Sequence, residues 1–153
     1  MPDKILLALK TFYDIVKTKN INWVLSGSTS LVIQGVDVTI NNDIDILTDK
    51  AGAEILDNLL AQYRVKPMKY SETDKYKSYF GIYRLDGIQL EVMGEFQYLL
   101  KNGSWSEPNQ NNEIIFKDFL EMRLPLLKLE QELVEYDNLD KIDKVNKIKR
   151  VIK

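Results

Sequence analysis

The segment from Tyr79 to Met93, YFGIYRLDGIQLEVM, constrains the fold more than any other stretch of the chain. Two β-rich runs flank Asp86-Gly87, the pair favoured in a two-residue hairpin turn of type I′. Such a turn sets the register: Leu85 faces Ile88, Arg84 faces Gln89, Tyr83 faces Leu90, and Ile82 faces Glu91. Alternation along the strands then collects Tyr83, Leu85, Ile88, Leu90 and Val92 on one apolar face. Arg84, Gln89 and Glu91 fall on the other, so the hairpin is one-sided and Glu91 lies on its polar side.

Helical periodicity appears on both sides of this hairpin. Ile5, Leu6, Leu9, Phe12, Tyr13 and Val16 recur at helical spacing with Lys and Asp opposite. Ala51 to Tyr63 repeats the pattern, with Ile55, Leu56, Leu59 and Leu60 as the expected buried stripe and Asp49 as its cap. Between these helices, Trp23 to Leu25 reads as a strand that runs through Ser26-Gly27-Ser28 into a short helix stopped by Gly35. Lys101 to Asn112 reads as a surface loop anchored by Trp105. After a short run at Glu113 to Phe116, the tail from Leu126 to Ile152 is helical by pattern, through Leu127, Leu133, Val134, Ile142, Val145, Ile148 and Ile152. Asp137-Asn138 is the expected break between two helices.

With 153 residues, 44% of them apolar, the chain can bury one sizeable core. The expectation is a single α/β (α+β) domain over 1–153, a small mixed sheet flanked by helices. Its core would span about 1–117 and a C-terminal helical segment about 118–153. No internal repeat or low-complexity segment interrupts it. Met1 to Lys10 is too short and too amphipathic for a signal peptide or a membrane span, so a cytoplasmic protein without membrane contact is expected.

The chemistry is narrowed by what the chain lacks. It has no cysteine and no histidine, which removes disulfides, thiolate nucleophiles, zinc–thiolate sites and imidazole bases. Carboxylates, hydroxyls, Lys, Arg and backbone amides remain, and carboxylates favour hard cations such as magnesium (Mg2+) or manganese (Mn2+). A net charge of −2 and a pI near 5.3 argue against a long polyanion as ligand, and with it against a nuclease or polymerase.

Within those limits one constellation stands out. Asn41-Asn42 leads into Asp43-Ile44-Asp45-Ile46, and at strand period Asp43 and Asp45 share a face, roughly 7 Å apart along the backbone. Two carboxylates so placed can converge on one or two cations, the arrangement that phosphoryl and nucleotidyl transfer require. Glu91 could complete the set from the hairpin. Gly27 and Ser28 lie between a strand and a helix, where free amides and the Ser28 hydroxyl can hold phosphate oxygens. Fourteen residues separate Ser28 from Asp43. Each piece alone has a plainer explanation, a surface strand or a helix cap, and the order and spacing are what join them. In the tail, Lys141, Lys144 and Lys147 share a helical face, followed by Lys149, Arg150 and Lys153. That face is either solvated or a phosphate clamp, and Lys144 is its candidate ligand. Tyr63, Tyr70, Tyr76 and Tyr79 could stack on a base or belong to the core.

Leu25-Ser26-Gly27-Ser28 followed by Asp43-Ile44-Asp45-Ile46 resembles the signature of the nucleotidyltransferases of the DNA polymerase β superfamily. Within it the chain is most similar to the small lincosamide- and aminoglycoside-type enzymes. Three stretches extend the likeness: Leu90-Glu91-Val92-Met93-Gly94-Glu95, the Asn102-Gly103-Ser104-Trp105 turn, and Leu124 through Leu129-Glu130 to Tyr136 and Lys144. The resemblance implies that Asp43 and Asp45 bind catalytic metals and that Glu91 serves as ligand or base. It implies transfer of a nucleoside monophosphate from a nucleoside triphosphate, ATP foremost, to a hydroxyl of a small-molecule, protein or tRNA acceptor. The alternative is a nucleotide-binding regulatory or antitoxin-like protein without turnover. The small size suits a homodimer that shares the site, or that non-catalytic role.

Overall fold

The computed structural model describes residues 1–108 and 113–152. Its element order is α1 (Asp3–Val16), β1 (Trp23–Ser26), α2 (Gly27–Ile33), β2 (Asp43–Thr48), α3 (Lys50–Leu59), β3 (Arg64–Glu72), β4 (Tyr76–Leu85), β5 (Ile88–Tyr98), β6 (Ile114–Phe119), β7 (Met122–Leu127), α4 (Leu129–Asn138) and α5 (Ile142–Ile152). The strands form one mixed sheet in the order β3-β4-β5-β2-β1-β7-β6. The α/β class and the C-terminal helices are as the sequence implies.

The β4–β5 hairpin has the expected register, with Leu85 opposite Ile88, Tyr83 opposite Leu90 and Ile82 opposite Glu91. Asp86 and Gly87 take φ of 50° and 80°, the positive pair that a type I′ turn demands. Tyr83, Leu85, Ile88, Leu90 and Val92 are all buried. They join Ile44 and Ile46 of β2, Leu25 of β1 and Leu124 and Leu126 of β7 in one core, covered by Ile5, Leu9, Phe12 and Val16 of α1 and Leu56 of α3. Burying this apolar face is the main drive to fold, at roughly 25 cal/mol per Å² removed from water. β5 pairs with β2 in parallel, and β2 pairs with β1 antiparallel.

Several expectations need correction. Ile55 is 41% exposed, and the inner side of α3 is Gly52, Ala53 and Leu56. Leu126 and Leu127 are not helical; they end β7, so the sheet continues beyond the boundary expected near residue 117 and the helices begin at Leu129. Val134 and Ile142 are solvent-exposed, whereas Val145 and Ile148 are buried as the helical pattern implies. Asp49 does cap α3, its carboxylate accepting from the Gly52 amide at 2.6 Å. Trp105 bridges to Leu99 and lies under the Lys77 ammonium at 4.3 Å. The remainder of that loop, Asn109 to Asn112, and Lys153 lie outside the described residues.

Two strand elements escape a sequence reading for physical reasons. β3 is an edge strand whose Lys66, Pro67 and Lys69 blunt its free side, and this composition hides the strand pattern. The β6–β7 hairpin turns at Leu120-Glu121, both at positive φ (46° and 67°), without the Gly or Asn that would announce it. Holding Leu120 and Glu121 in that region costs conformational energy. Replacing the pair by Asn-Gly should stabilise the chain by about 1 kcal/mol, read as a higher urea midpoint at unchanged slope. A lower midpoint would contradict the turn geometry.

Candidate functional site

Ile44 and Ile46 face the core, so the pleat of β2 directs Asp43, Asp45 and Leu47 to the opposite face. Parallel pairing with β5 sets Asp45 beside Glu91. One carboxylate oxygen from each of Asp43, Asp45 and Glu91 lies within 4.8 Å of the others. On the other flank β1 pairs Ser26 with Asp45, which delivers Gly27 against the same carboxylate. Gly27 has φ of 70°, and a Cβ there would overlap the Asp45 carboxylate, so conformation and space both demand glycine.

These residues open onto a cavity of about 450 Å³. Gly27, Ser28, Asp43, Asp45, Glu91 and Lys144 all line it, so the tertiary structure brings these six together. Lys147, on the same helix, does not line it and pairs with Asp143 at 3.3 Å. Of the four tyrosines, Tyr76 lines the cavity and stacks on Phe96 at 5.6 Å. Tyr70 and Tyr79 meet edge to face outside it, and Tyr63 packs against the main core.

Helices α4 and α5 pack on α2 through Leu31, Val36, Tyr136, Val145 and Ile148. This brings Tyr136 and Lys141 to the cavity, together with two acids that the sequence reading missed, Glu132 and Glu135. Glu132 is 2% exposed, and its Oε1 accepts the Gly27 N–H at 2.7 Å. Lys141 and Lys144 both sit over the Tyr136 ring, at 5.5 and 4.9 Å. A faint signal existed: Leu129, Glu132, Leu133 and Tyr136 follow i, i+3, i+4, i+7, so Glu132 occupies a position in an apolar stripe. Acids on helices are ordinarily solvated, and the pattern alone says little.

The site is electrostatically strained. Burial, reinforced by Glu91, Asp43 and Glu135, pushes the Asp45 carboxyl up to about 7. Burial likewise raises Glu135 to about 7, against the pull of Lys141 and Lys144. Asp43 and Glu91 rise as well through burial, with Lys144 opposing the change at Asp43 and a Gln89 hydrogen bond opposing it at Glu91. Such a set can relax by binding protons or cations. Three close carboxylates with no other donor type fit a hard divalent cation well. Lys144 offers a positive charge at the same cavity.

Folded-state pKa values above the ordinary carboxylate range mean that the folded chain holds protons which the unfolded chain releases. Stability should therefore be greatest below the ordinary carboxylate range and decline as pH rises toward 7. Asp45→Asn removes one such group. Its melting temperature, measured without divalent cations, should match wild type at about pH 3, below the ordinary carboxylate range, and exceed it by a few degrees near pH 8. An equal difference at both pH values would contradict the strained carboxylate cluster.

The profile of the aminoglycoside-2''-adenylyltransferase family matches residues 8–147. Among solved structures, a Thermotoga maritima protein assigned as a nucleotidyltransferase is 33% identical and superposes with a TM-score of 0.84 over 98% of this chain and 93% of its own. The lincosamide antibiotic adenylyltransferase LnuA, solved with lincomycin bound, is 14% identical with a TM-score of 0.58, over 99% of this chain and 98% of its own. ANT(2'')-Ia, solved with adenylyl-2''-tobramycin, is 9% identical with a TM-score of 0.61, over 99% and 90%. At those identities the last two share the fold. No curated protein sequence matches the chain significantly. No helix among the described residues is long and apolar enough to cross a membrane.

Proposed function

The chain belongs to the aminoglycoside-2''-adenylyltransferase family of nucleotidyltransferases, and from that membership we propose that it transfers a nucleoside monophosphate, AMP from ATP in the first instance, to a hydroxyl of a small-molecule acceptor. The observation that carries this reading is the contact of two different anion-handling devices. Three carboxylates lie within 4.8 Å of one another, and the Gly27-Ser28 turn abuts the central one. Acids alone would suit a bare cation site, whereas acids beside a glycine turn and a serine hydroxyl suit a cation-bound triphosphate.

In this reading Asp43, Asp45 and Glu91 hold Mg2+ or Mn2+. A divalent cation bound there would neutralise triphosphate charge and favour ionisation of the attacking hydroxyl. The chain's own groups orient the reactants. Gly27 and Ser28 hold the terminal phosphates, and Lys144 balances their charge from the opposite wall. The acceptor oxygen bonds to the α-phosphorus as the bond to the pyrophosphate oxygen breaks, and Glu91 is placed to take the hydroxyl proton. Tyr76, Phe80, Met93 and Phe96 form an apolar wall, and Glu135 adds an acidic group. That lining and a cavity of about 450 Å³ suit a small acceptor carrying amines more than a protein or tRNA end.

Four variants test the assignment. Asp43→Asn and Asp45→Asn should each abolish manganese-dependent nucleotide binding, followed by calorimetry, and leave the circular dichroism spectrum unchanged. Glu91→Gln should lower turnover, followed as pyrophosphate release with amino-sugar and lincosamide acceptors, far more than it weakens nucleotide binding. Ser28→Ala should weaken nucleotide binding by about 1–2 kcal/mol and leave manganese affinity nearly unchanged. Wild-type chain that binds ATP and releases no pyrophosphate with any acceptor would favour nucleotide binding without turnover.

A further inference from the structure

Glu132 lines the cavity without a part in the proposed reaction, and its surroundings are unusual. It comes from α4, far along the chain from the turn it touches, and its Oε1 takes the Gly27 N–H at 2.7 Å. Its Oε2 is fully buried and has no hydrogen-bond partner among the described residues. The only other hydrogen bond to its carboxyl group among the described residues is a long one from the Tyr136 hydroxyl, also to Oε1, at 3.5 Å. Burial, reinforced by Glu135 and Asp45, drives its carboxyl well above the usual range, against the pull of the Gly27 N–H and Lys144.

A carboxylate whose task was to brace α4 on the turn would be expected to have both oxygens paired, because a buried half-satisfied acid is costly. Glu132 is held by one strong bond, from an amide of the turn where the terminal phosphates are proposed to bind. One N–H cannot serve a carboxyl oxygen and a phosphate oxygen together. A triphosphate that takes the Gly27 amide must displace Glu132, which ties the first turn of α4 to this turn.

We propose that Glu132 is a specificity-determining residue of the nucleotide site: an internal carboxylate that competes with the terminal phosphates of a nucleoside triphosphate for the Gly27 amide. The proposal rests on the triphosphate reading above. The competition falls on ligands whose phosphates reach the turn. A nucleoside monophosphate, its single phosphate at the three carboxylates, does not meet it.

The test compares a non-hydrolysable ATP analogue with AMP, each with magnesium, titrated calorimetrically into wild type, Glu132→Gln and Glu132→Ala. Glu132→Ala removes the competing acceptor from the Gly27 amide, so the ATP analogue should bind about tenfold tighter, whereas Glu132→Gln keeps an acceptor oxygen and should tighten it less. AMP affinity should stay within about twofold, since its phosphate does not reach the turn. In wild type the ATP analogue should also speed amide hydrogen exchange across Leu129–Asn138, a readout that needs no variant. Unchanged or weaker binding of the ATP analogue, equal tightening of AMP, or undisturbed exchange in α4 would each overturn the competition and leave Glu132 as a brace. Failure of wild type and both variants to bind any nucleotide would overturn the triphosphate reading itself, and this inference with it.

Discussion

Burial of Ile44 and Ile46 beneath α1 leaves Asp43 and Asp45 no choice of side, because side chains alternate along an extended strand. A slip of one residue in β2 would send two carboxylates into the core and two isoleucines into the cavity. The apolar face of one strand therefore enforces the position of the acids on the other face. The same logic applies across the sheet: Val92 and Leu90 are buried, so Glu91 must look outward, and parallel pairing sets it beside Asp45. The acids stand together because their neighbours are buried, despite mutual repulsion.

That repulsion is the energetic cost of the arrangement. Five carboxylates, from Asp43, Asp45, Glu91, Glu132 and Glu135, line a cavity to which Lys141 and Lys144 bring positive charge. Uncompensated charge of this kind raises pKa values and weakens the fold, and it also makes the cavity receptive to cations and proton donors. The core on the far side of the sheet supplies the stability that such a site consumes.

The C-terminal helices complete the wall of the cavity beside the acidic strand pair β2 and β5. Docked through Leu31, Tyr136, Val145 and Ile148, they carry Lys144 and two glutamates across from β2. Their hold on the turn is the Glu132 contact to Gly27, so the wall of the cavity and the Gly27 amide are mechanically linked. A change at one should be felt at the other, since packed elements move between discrete arrangements.

What the sequence determined by itself is local: the Asp86-Gly87 turn, the alternation around Asp43-Ile44-Asp45-Ile46, the Gly27-Ser28 entry to α2, and the helical stripe of α1. Each depends on neighbours within a few residues, which is the range over which pattern and turn chemistry act. Strand β3 and the β6–β7 hairpin were not legible, since Pro67 and two lysines mask the former and a Leu-Glu turn conceals the latter. The burial of Glu132, the exposure of Ile55 and Ile142, the placing of Lys144 but not Lys147 at the cavity, and the convergence of α4 on the turn were settled only by tertiary packing. An acid on a helix is solvated or buried according to what that helix docks against, and docking between Gly27 and Glu132 joins residues 105 positions apart, beyond the reach of any local pattern.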